Sequence, residues 1–478
     1  MPEAQPVIAS EFAASFKGFM DTVIAQAPRE ESFFVKVLRE HFGADDLSDF
    51  PIVGENFRMA DHPNLHLAMQ EYLEAPGREH TLYGVEVPNE HMGMRLATFT
   101  QEHVEAWQRP RKVPVEYVNV PLEDDHMLAC VTRGLYLIRD AGRPMAALLQ
   151  GPSMSQWGPK IVQIEVMAAE RAAAENFLRT IRTAMHARNV YRGHVISLEP
   201  GMGGVAVKFH RLPAIARDGI ILPKSVIERI ERHAIGFTRA EAKLRAARRH
   251  MKRGLLLHGP PGTGKTLTAM YLAGQMSNRT IILITGPDMG LIEEACRMAR
   301  LLQPATIILE DVDLIAEERT RQSTGTNALL FELLNQMDGL SEDADILFLL
   351  TTNRPEILEP ALASRPGRID QAILVPLPDA DCRRRLIMLY SEGMTVRLQD
   401  LDGLISKTEG VSAAFIRELM RKAALFAANE GGPDDGIVVE DRHVNEALHE
   451  LVIEGGELTQ QLLGASSGFR AMARERCG

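Results

Sequence analysis

The chain has 478 residues, of which 45% are hydrophobic and 24% charged, and its formal net charge is −11. That length allows roughly two to four domains. The composition is that of an ordinary globular protein, and the acidic balance gives no general reason to expect nucleic-acid affinity. Four widely spaced cysteines, Cys130, Cys296, Cys382 and Cys477, form no CxxC or Cys/His set. This disfavours a disulfide framework or structural zinc and fits a reducing compartment. The opening Met1-Pro2-Glu3-Ala4-Gln5-Pro6 lacks a basic leader region, and no stretch reaches the ~18 apolar residues of a spanning helix. These features predict a cytoplasmic protein with no membrane contact.

From about Ser10 to Leu73 the apolar spacing is helical, with Phe12, Phe16, Phe19, Met20 and Val23 followed by Phe33, Phe34, Val37 and Leu38. The expectation is a helical N-terminal region over 1–110. After Arg109-Pro110-Arg111-Lys112-Val113-Pro114 the pattern turns strand-like at Val115–Val120, Gly134–Ile138 and Lys160–Val166. An Ala-rich helix from Met167 to Arg188 and strands at His194–Leu198 and Val205–His210 follow, giving an α+β domain over 111–230 that contacts a client or partner. His62 and His66 share a spacing of four, but Pro63 lies between them and no third ligand is near, so a solvated surface pair is favoured over a metal site. The basic run Arg239, Lys243, Arg245, Arg248, Arg249, Lys252 and Arg253 is interleaved with Ala240, Ala242, Leu244, Ala246 and Ala247. It reads as the outer face of an amphipathic helix ahead of a binding loop rather than as a nucleic-acid patch.

Chemistry enters at Gly259-Pro260-Pro261-Gly262-Thr263-Gly264-Lys265-Thr266, which matches G-x-x-x-x-G-K-[ST] in full, after the apolar run Leu255-Leu256-Leu257 and before a helix-like stretch. Glycines let the backbone fold around phosphate oxygens with N–H groups pointing inward, and the following helix offers its positive end to the anion. Lys265 would reach the β- and γ-phosphates and the Thr266 hydroxyl would ligate Mg²⁺, so ATP and Mg²⁺ are the expected ligands. Downstream, Thr306-Ile307-Ile308-Leu309 ends in Glu310-Asp311, and Ile346–Leu350 ends in Thr351-Thr352-Asn353. Parallel strands ending there place one carboxylate to hold Mg²⁺ and the other to orient or deprotonate a water, with Asn353 near the γ-phosphate.

Together with Asn335-Gln336-Met337-Asp338-Gly339-Leu340 and the stretch from Thr352-Asn353-Arg354-Pro355 through Arg365-Pro366-Gly367-Arg368-Ile369-Asp370, these residues resemble the AAA ATPase module of valosin-containing-protein-like, proteasomal and mitochondrial assembly ATPases. The resemblance covers residues 230 to 455. It implies an α/β phosphate-loop core with a parallel sheet over 231–390, a small helical lid over 391–455, and a C-terminal tail over 456–478. It further implies ring assembly as a homo-oligomer, usually a hexamer, with Arg365 and Arg368 as arginine fingers acting on the neighbour's nucleotide. Gly410–Ile416 and Val439–Leu448 resemble helices of the lid.

The order Glu310-Asp311 reverses the usual Asp-Glu, which makes Asp311 a shortened water-orienting carboxylate and leaves Glu310 to the metal, as in mitochondrial assembly members. The stretch from Gly286 to Pro304 offers Met289-Gly290-Leu291-Ile292 in place of an aromatic pore residue. No HExxH follows the module, and Arg474-Glu475-Arg476-Cys477-Gly478 lacks the ending that docks on proteasome cores. The expected function is a chaperone-like ATPase that remodels a protein client. A nucleotide-switched scaffold and a nucleic-acid translocase remain as alternatives.

Overall fold

The structure, a computed structural model, describes residues 12–19, 22, 32–86, 94–101, 109–123, 126–152, 161–201, 204–313, 328–339, 341, 343–356, 369–430, 436–454, 464 and 469. The chain divides into two compact units, Met1–Val120 with Leu128–Met185, and Pro121–Met127 with His186–Gly478.

The first unit is built on a seven-stranded sheet. Its strands are β1 (Ile52–Arg58), β2 (Arg78–Glu86), β3 (Arg111–Val113), β4 (Glu116–Pro121), β5 (Met127–Asp140), β6 (Arg143–Gln150) and β7 (Ile161–Ala168). They run in the order β1-β7-β6-β5-β2-β3, with β4 paired to β5. β5 and β6 form a hairpin that closes through Ala141 and Gly142, both at positive φ, so that Asp140 faces Arg143. Two left-handed residues match the right-handed twist of the flanking strands. Helices His62–Leu73 and Arg171–Ala187 pack Leu65, Met69, Phe177 and Ile181 against Val162, Ile164 and Val166 on one face. Helix Phe33–Phe42 packs Phe34 and Leu38 against Leu135, Leu137 and Leu148 on the other.

Here the structure corrects several expectations. The region 1–110 is not simply helical: residues 12–19 form a helix, but β1 and β2 fall inside the region. β1 is only partly buried and is paired in register to β7, more than a hundred residues away, so its own sequence carries little strand signal. The helix expected from Met167 begins at Arg171, because Met167 and Ala168 end β7. His62 and His66 are not a solvated pair: His62 is buried with Nε2 at 2.9 Å from the Val131 carbonyl, and His66 is half-buried.

In the second unit a mostly parallel sheet runs β14-β10-β13-β12-β11-β8-β9. Its strands are β8 (Val195–Gly201), β9 (Gly204–His210), β10 (Arg253–His258), β11 (Thr280–Ile284), β12 (Ala305–Leu309), β13 (Ile346–Thr352) and β14 (Gln371–Leu374). β10 to β13 are near-continuous apolar runs because each face is covered by its own core, as parallel sheets require. The hairpin β8–β9, expected in the α+β domain, instead extends this sheet, since β8 pairs in parallel with β11. Helix Phe237–Ala246 carries only Arg239, Lys243 and Arg245 of the basic run and buries none of its side chains; Arg248, Arg249 and Lys252 follow it outside the helix, and Arg253 is the buried first residue of β10.

At the opposite end of the strands from the site, Arg279 ties three of them together. Its Nη1 donates to Asp345 Oδ1 at 2.8 Å, Nη2 to the Ala305 carbonyl at 2.6 Å and Nε to Thr306 Oγ1 at 3.2 Å. A separate helical cluster gathers Leu386 and Ile387 of helix Ala380–Leu389, Leu404 of Leu401–Lys407, Phe415 and Leu419 of Ala413–Glu430, and Val444 of Asp441–His449. The short strands β15 (Thr395–Arg397) and β16 (Val438–Glu440) pair beside it. Its core therefore begins upstream of residue 391, at helix Ala380–Leu389.

Candidate nucleotide site

The loop after β10 lies where the sheet order reverses, with β14 on one side and β13 on the other. Open α/β sheets bind ligands at such a crevice beyond the strands' carboxyl ends. Gly259, Gly262 and Gly264 all have positive φ, and helix Lys265–Gln275 starts directly after them. A Cβ on Gly259 would lie 2.3 Å from the Val375 carbonyl oxygen, so only glycine fits there. Within the loop, Thr263 Oγ1 donates to the Pro260 carbonyl at 2.9 Å. Lys265 is 5% exposed and donates from Nζ to the carbonyls of Gly259 at 2.9 Å and Pro260 at 2.8 Å. Burial pushes its ammonium down to about 8, against the pull of Asp311 and Asp313.

The ends of β12 and β13 are stitched together. The Asp311 N–H donates to Thr351 Oγ1 at 3.1 Å and the Val312 N–H to the Thr351 carbonyl at 3.0 Å. Asn353 Nδ2 donates to Asp311 Oδ1 at 3.2 Å. Asp311 holds a left-handed φ of 50°, an uncommon conformation for a residue with a side chain. Burial and the neighbouring Asp313 raise its carboxyl above the ordinary range, while Lys265 and the Asn353 amide act in the opposite direction. Glu310 is also raised, by burial and by Asp311.

A cleft of about 490 Å³ contains the phosphate loop from Pro261 through Thr266 together with Asp311 and Asn353. One wall is apolar, formed by Ile215, Ile220, Ile221 and Leu222, and the lid side contributes Leu386, Tyr390, Ala413, Ala414 and Arg417. Sequence reasoning missed the 213–222 wall, because a short apolar run before a helix carries no phosphate-binding signature. Of the two carboxylates after β12, Asp311 lines the cleft and Glu310 does not. Glu310 Oε1 is nevertheless buried without a hydrogen-bond partner. An orphaned carboxylate oxygen of this kind suits a cation or its bound water, and the exposed Thr266 hydroxyl at the cleft is a second oxygen donor. Arg365 and Arg368 lie outside the described residues, as do most of the residues linking Asn353 to them.

Residues 255–377 match the family described as "ATPase family associated with various cellular activities (AAA)". That segment is thus similar to the AAA ATPase family. Similar proteins include a proteasome-activating nucleotidase of Pyrococcus horikoshii, 36% identical over 191 residues, which are 37% of this chain and 47% of that protein. A second such nucleotidase, from Methanosarcina mazei, is 34% identical over 214 residues, 42% of this chain and 49% of that protein. The human ATPase family gene 2 protein homolog A is 37% identical over 209 residues, 41% of this chain and 23% of that protein. The chain thus spans about half the length, or less, of these curated relatives. Among the described residues no helix is long and apolar enough to cross a membrane, and no group of three or more His, Cys, Asp or Glu could hold a metal ion by itself.

Proposed function

We propose that this protein is an AAA ATPase that hydrolyses ATP in a homo-oligomeric ring, a hexamer, and uses the turnover to remodel a protein client in the cytoplasm. The observation that carries the reading is the Asp311–Asn353 pair, set at the ends of adjacent parallel strands in the same cleft as Lys265. In this reading Gly259 to Thr266 wrap the phosphates, and Lys265 leaves its two loop carbonyls to meet the β- and γ-phosphoryl oxygens. Thr266 and Glu310 hold Mg²⁺, which offsets phosphate charge. Asp311 takes the proton of the attacking water while Asn353 orients it, and Arg365 and Arg368 complete the neighbour's site.

The first compact unit is proposed to contact the client. Its support is organisation: it has its own sheet and core, while the phosphate loop and its partners all lie in the second unit. The relatives named proteasome-activating nucleotidase lend support to action on proteins. The test is ATP turnover measured alone, with denatured protein and with single-stranded DNA. Stimulation by protein supports remodelling, and stimulation by DNA alone overturns it in favour of a translocase. Turnover indifferent to both, with ATP-dependent assembly in light scattering, favours the switched scaffold.

A further inference from the structure

We propose that Asp313 is a positioning residue for ATP hydrolysis, acting through Thr352 and Asn353 to hold the Asp311–Asn353 pair in register. The inference rests on the ATPase reading of the cleft and names a residue which that reading does not use.

Asp313 is 5% exposed, and a single oxygen, Oδ1, accepts both the Thr352 hydroxyl at 2.8 Å and the Asn353 backbone N–H at 3.2 Å. Thr352 Oγ1 in turn accepts the Arg354 N–H at 3.0 Å. The carboxylate therefore fixes the backbone on both sides of Asn353. From this fixed backbone the Asn353 side chain donates to Asp311 Oδ1. The same contacts anchor Asp311 from the other side. A left-handed backbone at a non-glycine residue is strained and persists only where its surroundings over-determine it. Asp311 is bracketed by Thr351 through its own N–H and by Asp313 two residues on. Removing the Asp313 acceptor would free Asn353 and let Asp311 relax, displacing the pair that faces the attacking water.

A buried carboxylate is also an ordinary way to close a strand end, so the test must separate the two roles. The full chain is compared with Asp313→Ala and Asp313→Asn in steady-state turnover and in calorimetric titration with a non-hydrolysable ATP analogue. Asn retains an acceptor oxygen at the same place and Ala does not. The expected result for Asp313→Ala is a ~10–100-fold loss of kcat, the range seen when an orienting partner is removed, with analogue affinity unchanged. Asp313→Asn should restore most of kcat. Wild-type kcat in Asp313→Ala overturns the proposal, as does an Asp313→Asn protein as inactive as Asp313→Ala, or equal losses of kcat and analogue affinity. Should Asp313→Ala not fold, Thr352→Val removes one of the two contacts from a fully buried isosteric side chain. It should then lower kcat without weakening the analogue, and wild-type kcat overturns the idea. Absence of ATP turnover in the wild-type chain, by contrast, sinks the ATPase reading itself.

Discussion

The backbone N–H of Ala414, the second residue of the lid's longest helix, donates to the carbonyl of Gly262 in the phosphate loop at 3.1 Å. The loop is thus bonded directly to the lid, and the approach is close on both sides. A Cβ added at Gly262 would lie 2.7 Å from Ser412 Oγ and 2.9 Å from Ala414 Cβ. That hydrogen bond gives the start of helix Ala413–Glu430 a direct link to the loop backbone.

Gly262→Ala tests this coupling. The residue has φ of 73°, so alanine brings backbone strain of ~1–3 kcal/mol as well as the collision. ATP affinity should fall by ~10-fold or more, since 1.4 kcal/mol is one decade. Amide exchange at the start of helix Ala413–Glu430 should speed up in the nucleotide-free protein. Wild-type affinity by calorimetry would show that the contact does not bear on the loop.

Arg279→Met addresses stability. Arg279 and Asp345 are each almost fully buried, and Asp345 Oδ2 already lacks a partner. Removing the cation strands a buried carboxylate and frees the Ala305 carbonyl and Thr306 hydroxyl. A loss of ~3–5 kcal/mol is expected. Urea unfolding of the second unit checks this, and the double variant Arg279→Met/Asp345→Leu should recover a large part of it. A loss below ~1 kcal/mol in the single variant would mean that water reaches the site.

How much of this was legible in the sequence depends on whether the signal is local. The loop Gly259–Thr266 is eight contiguous residues whose three glycines all stand at positive φ ahead of a helix, so its backbone was legible from local sequence. Glu310-Asp311 and Asn353 were found because each follows a run buried on both faces. Asp313 was not given a role, since a carboxylate two residues beyond a strand end looks like any turn residue until the partner strand is known. The assignment of β8 and β9 failed for a related reason. Val195–Gly201 reads as a strand, but only its pairing with Ile281–Leu283 decides which sheet it joins. The spacing of His62 and His66 points to a solvated pair and cannot reveal that the Val131 carbonyl meets a buried His62.

That buried histidine gives a pH prediction. His41, His62 and His66 in the first unit all sit below the ordinary value of 6.5, each chiefly through burial. Their unfolded values are higher, so below pH 6.5 the unfolded chain binds more protons than the folded one. Stability is full above 6.5 and declines as pH falls from there toward the lowered folded values. The slope is at most ~1.4 kcal/mol per pH unit for each group. Urea unfolding followed by protection of the β6 and β7 amides should shift to lower urea between pH 7.5 and 5.5. His62→Gln should flatten the shift, and an equal slope in that variant would assign it to other groups.

The ring itself is tested by complementation. If Arg365 and Arg368 act on nucleotide held by an adjacent subunit, the Lys265→Ala protein and an Arg365→Ala/Arg368→Ala protein should each be nearly inactive. Lys265→Ala removes the ammonium that meets the phosphates, and the double variant removes two guanidinium groups from the transferring phosphoryl. Mixed together they should regain activity. A finger-deficient subunit still binds ATP through its own Lys265, and a Lys265-deficient neighbour still presents both arginines, so some interfaces in a mixed ring hold every group. Loss of a finger commonly costs ~10³-fold or more in rate, which leaves partial recovery well above background. Subunit exchange is checked independently by energy transfer between labelled variants. Fingers acting within one chain cannot be complemented in this way, because every chain in the mixture lacks one of the two components. If exchange is confirmed and the mixture stays as inactive as its parts, or if the wild-type chain hydrolyses ATP as a strict monomer, the shared site must be abandoned.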